Sequence, residues 1–261
     1  MREQRLVFGE AAELYDRFRP TYPERLIDDL VGLAGLDSKS GGLEVGAGTG
    51  KATAMFAERG IPVVGVEPSA EMAAVARRNL SAHPQVEIEQ SDFEHWDPGE
   101  RRFRLVFSAQ AWHWVEPSVG YVKACQVLLP GGWLALFWNR FAWERSELQE
   151  EMREAYRRAA PELTSAGGMH PANLRPDANL DWDGEIADVP GLGDPETRHY
   201  EWPRTFATRE YVGLLGTASD VLLLEPAKQT SLFSAVAEVI DGHGGSITIA
   251  MRTLLCLARR V

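Results

Sequence analysis

Residues 43–50 read Leu-Glu-Val-Gly-Ala-Gly-Thr-Gly, and no other stretch narrows the choice of fold so far. An apolar segment with one acid inside it runs into glycines at alternate positions and then opens a helix at Lys51. Alternating glycines cost chain entropy, so they belong where the backbone turns through positive φ or lies against a ligand. A second apolar segment, Val63-Val64-Gly65-Val66, ends in Glu67-Pro68, about twenty positions past the first glycine. The spacing predicts strands near 42–46, 62–66, 86–89, 105–107 and 133–137. Helices are expected over 23–33, where Pro23 opens and Gly35 follows the end, over 50–59, and from the Ser69 cap to Leu80. Strands that alternate with helices make an α/β protein: a doubly wound, mostly parallel sheet with helices on both faces and right-handed crossovers.

In such a sheet the ligand lies beyond the carboxyl ends of the strands, and an acid after the second strand reaches a ribose. The glycine spacing separates two cofactor classes. A dinucleotide fingerprint, G-x-G-x-x-G, needs glycine at position 51, where Lys51 stands. Gly46, Gly48 and Gly50 form G-x-G-x-G instead, with Glu44 two residues upstream. A ligand without pyrophosphate needs no phosphate site, only bare backbone beneath a nucleoside and an amino-acid tail. This pattern favours S-adenosylmethionine over NAD.

With these motifs the chain resembles the class I S-adenosylmethionine-dependent methyltransferases. More narrowly it resembles the methyltransferase type 11 branch near the trans-aconitate methyltransferase-like proteins. The resemblance rests on Tyr15-Asp16-Arg17-Phe18-Arg19-Pro20-Thr21-Tyr22-Pro23, the glycine turn, Glu67, Ser91-Asp92-Phe93 and Ser108-Ala109-Gln110-Ala111-Trp112-His113-Trp114. Leu129-Pro130-Gly131-Gly132-Trp133 then matches the turn before the fifth strand. It covers residues 12–138 in order and implies a Rossmann-like, seven-stranded sheet with an antiparallel last strand. Residues 197–202 and 246–259 are expected to form the closing pair of strands, with helices over 208–216 and 226–240. The expected organisation is a single domain: a helical cover over 1–40, a cofactor core over 41–138, an acceptor-side insertion over 139–196 that begins with a charged helix at 146–159, and closing strands and helices over 197–261.

The resemblance also implies roles. Gly46, Ala47, Gly48 and Gly50 would cradle the cofactor, Glu67 with Pro68 the ribose, and Asp92 with Phe93 the adenine, with Met72 against its ring. Glu44 and the Gln110 carbonyl would serve the methionine ammonium, and Arg19 its carboxylate through a charge-assisted bond. His113 is the candidate general base. Tyr15, Tyr22, Trp114, Asn139, Arg140 and Trp143 are expected to wall the acceptor. His170, His199 and His243 are scattered without metal-ligand spacing, so no metal is expected.

Composition bounds the partners. The 261 residues carry a formal net charge of −11 and no basic stretch, which argues against nucleic acid. Cys125 and Cys256 lie far apart in apolar segments and are expected to be reduced thiols. No apolar run approaches the ~18 residues of a membrane span, and the amino terminus lacks a signal-peptide core, so a cytoplasmic protein is expected. Two other functions fit a related sheet. One is a nucleotide-dependent oxidoreductase, which Lys51 and Asp92-Phe93 disfavour. The other is a non-catalytic binder of S-adenosylmethionine.

Overall fold

The computed structural model describes residues 12–163, 170–171 and 182–261. The parts of the expected cover and insertion at 1–11, 164–169 and 172–181 lie outside the described residues. The strands are β1 (Gly42–Val45), β2 (Val63–Glu67), β3 (Val86–Gln90), β4 (Phe103–Ala109), β5 (Leu128–Phe141), β6 (Glu196–Ala207) and β7 (Ser246–Arg259). They form one seven-stranded sheet in the order β3-β2-β1-β4-β5-β7-β6. β1 pairs in parallel with β2 on one side and β4 on the other, so the strand order reverses at β1. β7 runs antiparallel between β5 and β6, as the resemblance implies.

The described helices are α1 (Ala12–Phe18), α2 (Glu24–Ala34), α3 (Lys51–Ala57), α4 (Ala70–Asn79), α5 (Pro117–Val127), α6 (Glu147–Ala159), α7 (Trp182–Ala187), α8 (Thr208–Leu215), α9 (Ser219–Leu222) and α10 (Pro226–Gly242). Local chemistry sets their ends. Gly35 closes α2 in the left-handed region at φ 58°, which costs glycine nothing. The Ser69 hydroxyl caps α4 by accepting from the Met72 N–H at 3.2 Å.

Period-two alternation along the central strands fills both faces. Leu43, Val45, Val106, Leu134, Leu136 and Trp138 turn to one core. Leu105, Phe107, Ala135 and Phe137 turn to the other and meet Leu26, Ile27, Leu30 and Phe56. A further core joins α6, α8 and α10 to the far halves of β6 and β7, through Met152, Tyr156, Phe206, Tyr211, Leu232 and Ile249. β5 is longer than its apolar run predicts. Its register against β4 shifts between Phe103 and Leu105, where Pro130-Gly131-Gly132 interrupts the apolar pattern, and its tail stays paired with β7 as far as Phe141 against Met251.

Candidate functional site: a nucleoside cleft and a tail cavity

The site forms where the strand order reverses, at the carboxyl ends of β1, β2 and β4. Beyond β1 the chain turns through Gly46 at φ 74° and Gly50 at φ 83°. A side chain at Gly46 would bring its Cβ within 2.4 Å of the Ala111 Cβ, so both conformation and space require glycine there. Gly48 differs. A Cβ at Gly48 would meet no protein atom within 4 Å, because this residue borders open space on both sides of the turn.

On one side lies an open cleft. Gly46, Gly48, Glu67, Pro68, Met72, Phe93, Glu94, Gln110, Trp114 and Tyr15 are among its walls. Glu67 is buried at the end of β2. Its carboxylate accepts from the Gly48 N–H at 2.8 Å and the Ser69 N–H at 2.9 Å, tying the glycine turn to the start of α4. Glu94 sits between the Glu116 N–H, which its Oε1 accepts at 3.0 Å, and the cleft. Its other oxygen, Oε2, is buried without a hydrogen-bond partner.

On the other side is a smaller cavity lined by Tyr15, Arg19, Tyr22, Glu44, Gly46, Ala47, Gly48, Thr49, Lys51 and Gln110. Glu44, 1% exposed on β1, accepts from the Thr53 hydroxyl. Burial pushes its carboxyl up to about 8, against the Thr53 hydrogen bonds, and the nearby Glu67 charge adds to the rise. The Thr49 hydroxyl is buried without a partner. Gln110 joins the two spaces. It holds φ 63°, unlike every other described non-glycine residue, and such a conformation is sparsely populated and concentrated at functional sites. Its N–H donates to the Phe137 carbonyl at 2.9 Å.

The cover over this cavity is α1 with the segment to Pro23. The Lys51 ammonium donates to the Asp16 carbonyl, and the Asn79 amide donates to the Asp16 carboxylate at 2.9 Å. Arg19 reaches across to Thr217, donating from Nε to the hydroxyl at 2.8 Å and from Nη2 to the carbonyl at 2.7 Å. Tyr22 is buried edge-on against Phe137, with ring centroids 4.9 Å apart.

Several expected residues stand elsewhere. Asp92 is not among the cleft-lining residues and turns to His95, 3.6 Å away, while Phe93 and Glu94 enter the cleft. Asn139 is buried under the cover. Its amide donates to the Thr21 carbonyl at 2.9 Å and its oxygen accepts from the Thr253 hydroxyl at 2.6 Å, so its polar groups serve the fold. Trp143 is buried in the third core against Phe141 rather than in a pocket wall. Neither space is lined by a described residue beyond Val115, so the described part of the insertion does not reach them. His113 and Trp114 lie on a short 3-10 turn after β4, their rings 4.7 Å apart. Trp114 lines the cleft. His113 keeps a solvent-exposed edge, yet the protein crowded around it and the positive charge of Arg140 lower its pKa to about 4. Sequence reasoning passed over Glu94, Thr49 and Lys51. Lys51 entered only as the absent third glycine, although a cation directly after a glycine turn is itself a signal.

A sheet reversed at β1, a glycine turn, an acid closing β2 and a split pocket together define a class I methyltransferase fold. Comparison with known proteins agrees. A methyltransferase-domain family profile matches residues 43–132. The chain is 40% identical over 148 residues to an uncharacterized methyltransferase of Mycobacterium tuberculosis, covering 55% of this chain and 58% of that one. It is 31% identical over 170 residues to one of Geobacillus kaustophilus, covering 62% and 74%. It is also 35% identical over 115 residues to the trans-aconitate 2-methyltransferase of an Azoarcus strain, covering 43% and 44%. A candidate type II methyltransferase from Anaeromyxobacter dehalogenans shares the fold with a TM-score of 0.65 at 19% identity, covering 93% and 97%. The chain belongs to the methyltransferase family. The match spans little more than half the length of the mycobacterial relative.

Proposed function

We propose that this protein transfers a methyl group from S-adenosylmethionine to a small-molecule acceptor, a carboxylate or hydroxyl in preference to an amine. The observation that carries the reading is the split pocket. A residue in the wall of each side carries a buried polar atom without a hydrogen-bond partner, Glu94 Oε2 for the cleft and the Thr49 hydroxyl for the small cavity. Such groups are costly to leave unmatched. A nucleoside with an amino-acid tail fits that division. Glu67 and the Gly46–Gly50 turn would hold the ribose, Met72 and Phe93 would flank the base with Glu94 toward its amino group, and Glu44 would face the ammonium. When bound, S-adenosylmethionine supplies an electrophilic methyl on a sulfonium.

The chain's own work is orientation and exclusion of water. α1 and Tyr15 close the pocket from above, and Trp114 closes its side. His113 is neutral across the physiological range, but a base near 4 is too weak to strip a proton from an ammonium or from a hydroxyl, so it favours neither of those acceptors. A carboxylate acceptor arrives ionised and needs no base, and Arg140 beside His113 supplies the positive field that would favour it. The acceptor named for the Azoarcus relative is such a carboxylate. The net charge of −11 supports neither nucleic acid nor an anionic membrane as the partner, and among the described residues no helix is long and apolar enough to cross a membrane. Family membership sets aside the oxidoreductase alternative.

The experiment is calorimetry with S-adenosylmethionine and with its demethylated product, followed by a screen of carboxylates, alcohols, phenols and amines read by product release. Saturable binding and turnover of a carboxylate or hydroxyl compound is the expected result. Binding of reduced nicotinamide cofactor instead, or turnover of amines alone, would refute it.

A further inference from the structure

We propose that Lys51 grips the carboxylate of the cofactor's amino-acid tail, while Arg19 straps the amino-terminal cover to the core around α8. The assignment rests on the cofactor reading above. An α-amino-acid tail is a zwitterion, so its cavity needs an acceptor for the ammonium and a donor for the carboxylate. The small cavity supplies the acceptor as Glu44 on β1 and places Lys51 across the glycine turn, at the start of α3. Thr49 lines the same cavity, and its hydroxyl, buried and without a partner, is a second donor for the carboxylate.

The Lys51 side chain is 20% exposed. Its ammonium carries three N–H donors. The Asp16 carbonyl takes one of them. The Asp16 carboxylate forms a loose ion pair with it at 3.8 Å and also accepts from Asn79 at 2.9 Å. Arg204 adds positive charge near Lys51, against the negative charge of Asp16. Burial, opposed by Asp16, lowers the pKa of Lys51, and an anion in the cavity would offset that loss.

Arg19 is placed differently. Its Nε and Nη2 both point at Thr217, at 2.8 and 2.7 Å, and its guanidinium stacks over the Tyr15 ring at 5.1 Å. Turning that fork into the cavity would break two charge-assisted bonds and unstack Tyr15, which lines both halves of the pocket. Arg19 therefore acts through the position of Tyr15 and the cover.

The two roles separate when the ligand, too, is truncated. S-adenosylhomocysteine carries the tail, and 5′-methylthioadenosine has the same nucleoside and thioether without it. By calorimetry, Lys51→Met should weaken S-adenosylhomocysteine about 10- to 100-fold while methylthioadenosine changes less than about threefold. Lys51→Arg should restore most of the loss. Arg19→Met should weaken both ligands by similar factors. Unchanged methylthioadenosine affinity reports that the variant is folded, and Lys51→Gln repeats the measurement if Lys51→Met does not fold. Equal loss of both ligands in the Lys51 variants, or a selective loss of S-adenosylhomocysteine in Arg19→Met instead, overturns the assignment. A wild-type protein that binds neither ligand overturns the cofactor reading itself. One that binds both equally leaves the nucleoside site standing and removes the tail cavity.

Discussion

Replacing Glu44 by Gln probes the most unusual group in the pocket. The amide keeps the shape and can still accept from the Thr53 hydroxyl, but it cannot ionise. In the folded protein burial holds the Glu44 carboxyl near 8, against an ordinary value of 4.5. A carboxyl raised in this way binds its proton more tightly folded than unfolded. Its stabilising contribution is complete below the unfolded value and is lost as pH rises through the folded one. The gap corresponds to roughly 5 kcal/mol in full, and roughly 3 kcal/mol has gone by about pH 7. Urea denaturation of wild type and Glu44→Gln from about pH 5 to about pH 9 isolates this group, because the other titrations cancel in the difference. Among those that cancel are His113 and His170, both held near 4 chiefly by burial. The variant should gain on wild type by a few kcal/mol between about pH 5 and about pH 8, then run parallel to it. A flat difference, or wild type gaining as pH rises, would mean that Glu44 is ionised in the fold and that its burial has been misjudged. The same carboxyl must lose its proton to face an ammonium. Binding of S-adenosylhomocysteine at neutral pH should therefore release protons, seen as a dependence of the heat on buffer ionisation enthalpy, and Glu44→Gln should abolish that release.

Two further expectations concern neighbouring residues. Glu67→Gln should weaken S-adenosylhomocysteine about 10- to 100-fold by calorimetry and lower stability by about 1–3 kcal/mol, since the Gly48 and Ser69 N–H groups lose a charged acceptor; unchanged affinity would remove Glu67 from the ribose site. Trp143→Ala should cost about 3–5 kcal/mol in denaturant unfolding, as for other buried aromatics, with the affinity of the remaining folded protein unchanged; a loss of affinity without a loss of stability would return Trp143 to the pocket.

The cofactor half was legible in the sequence because its constraints are local. Gly46 follows directly on β1 and Glu67 ends β2, so each is tied to the apolar run that carries it. The mostly parallel sheet was legible for a similar reason, since strands that alternate with helices leave few arrangements. Asn139 shows where such reading stops. Polar residues next to aromatics at the end of a strand look the same in sequence whether they face a ligand or a neighbouring strand. The choice at Asn139 is made by Thr253, 114 residues away, and by the Thr21 carbonyl, 118 away.

Arg19 carries the same lesson into function. A lone arginine in the cover and a carboxylate-bearing cofactor invite pairing, but the sequence cannot show that Thr217, 198 residues on, holds two donors of the guanidinium. Lys51 entered only as the residue that breaks a dinucleotide fingerprint, and that negative use passed over its position in the wall of the small cavity. The acceptor end is the least legible for a physical reason. Ribose, adenine and an amino-acid tail are fixed shapes that impose fixed spacings on a strand end. A variable acceptor is met by side chains drawn from separate elements, whose meeting is set by packing across the whole sheet and not by any interval along the chain.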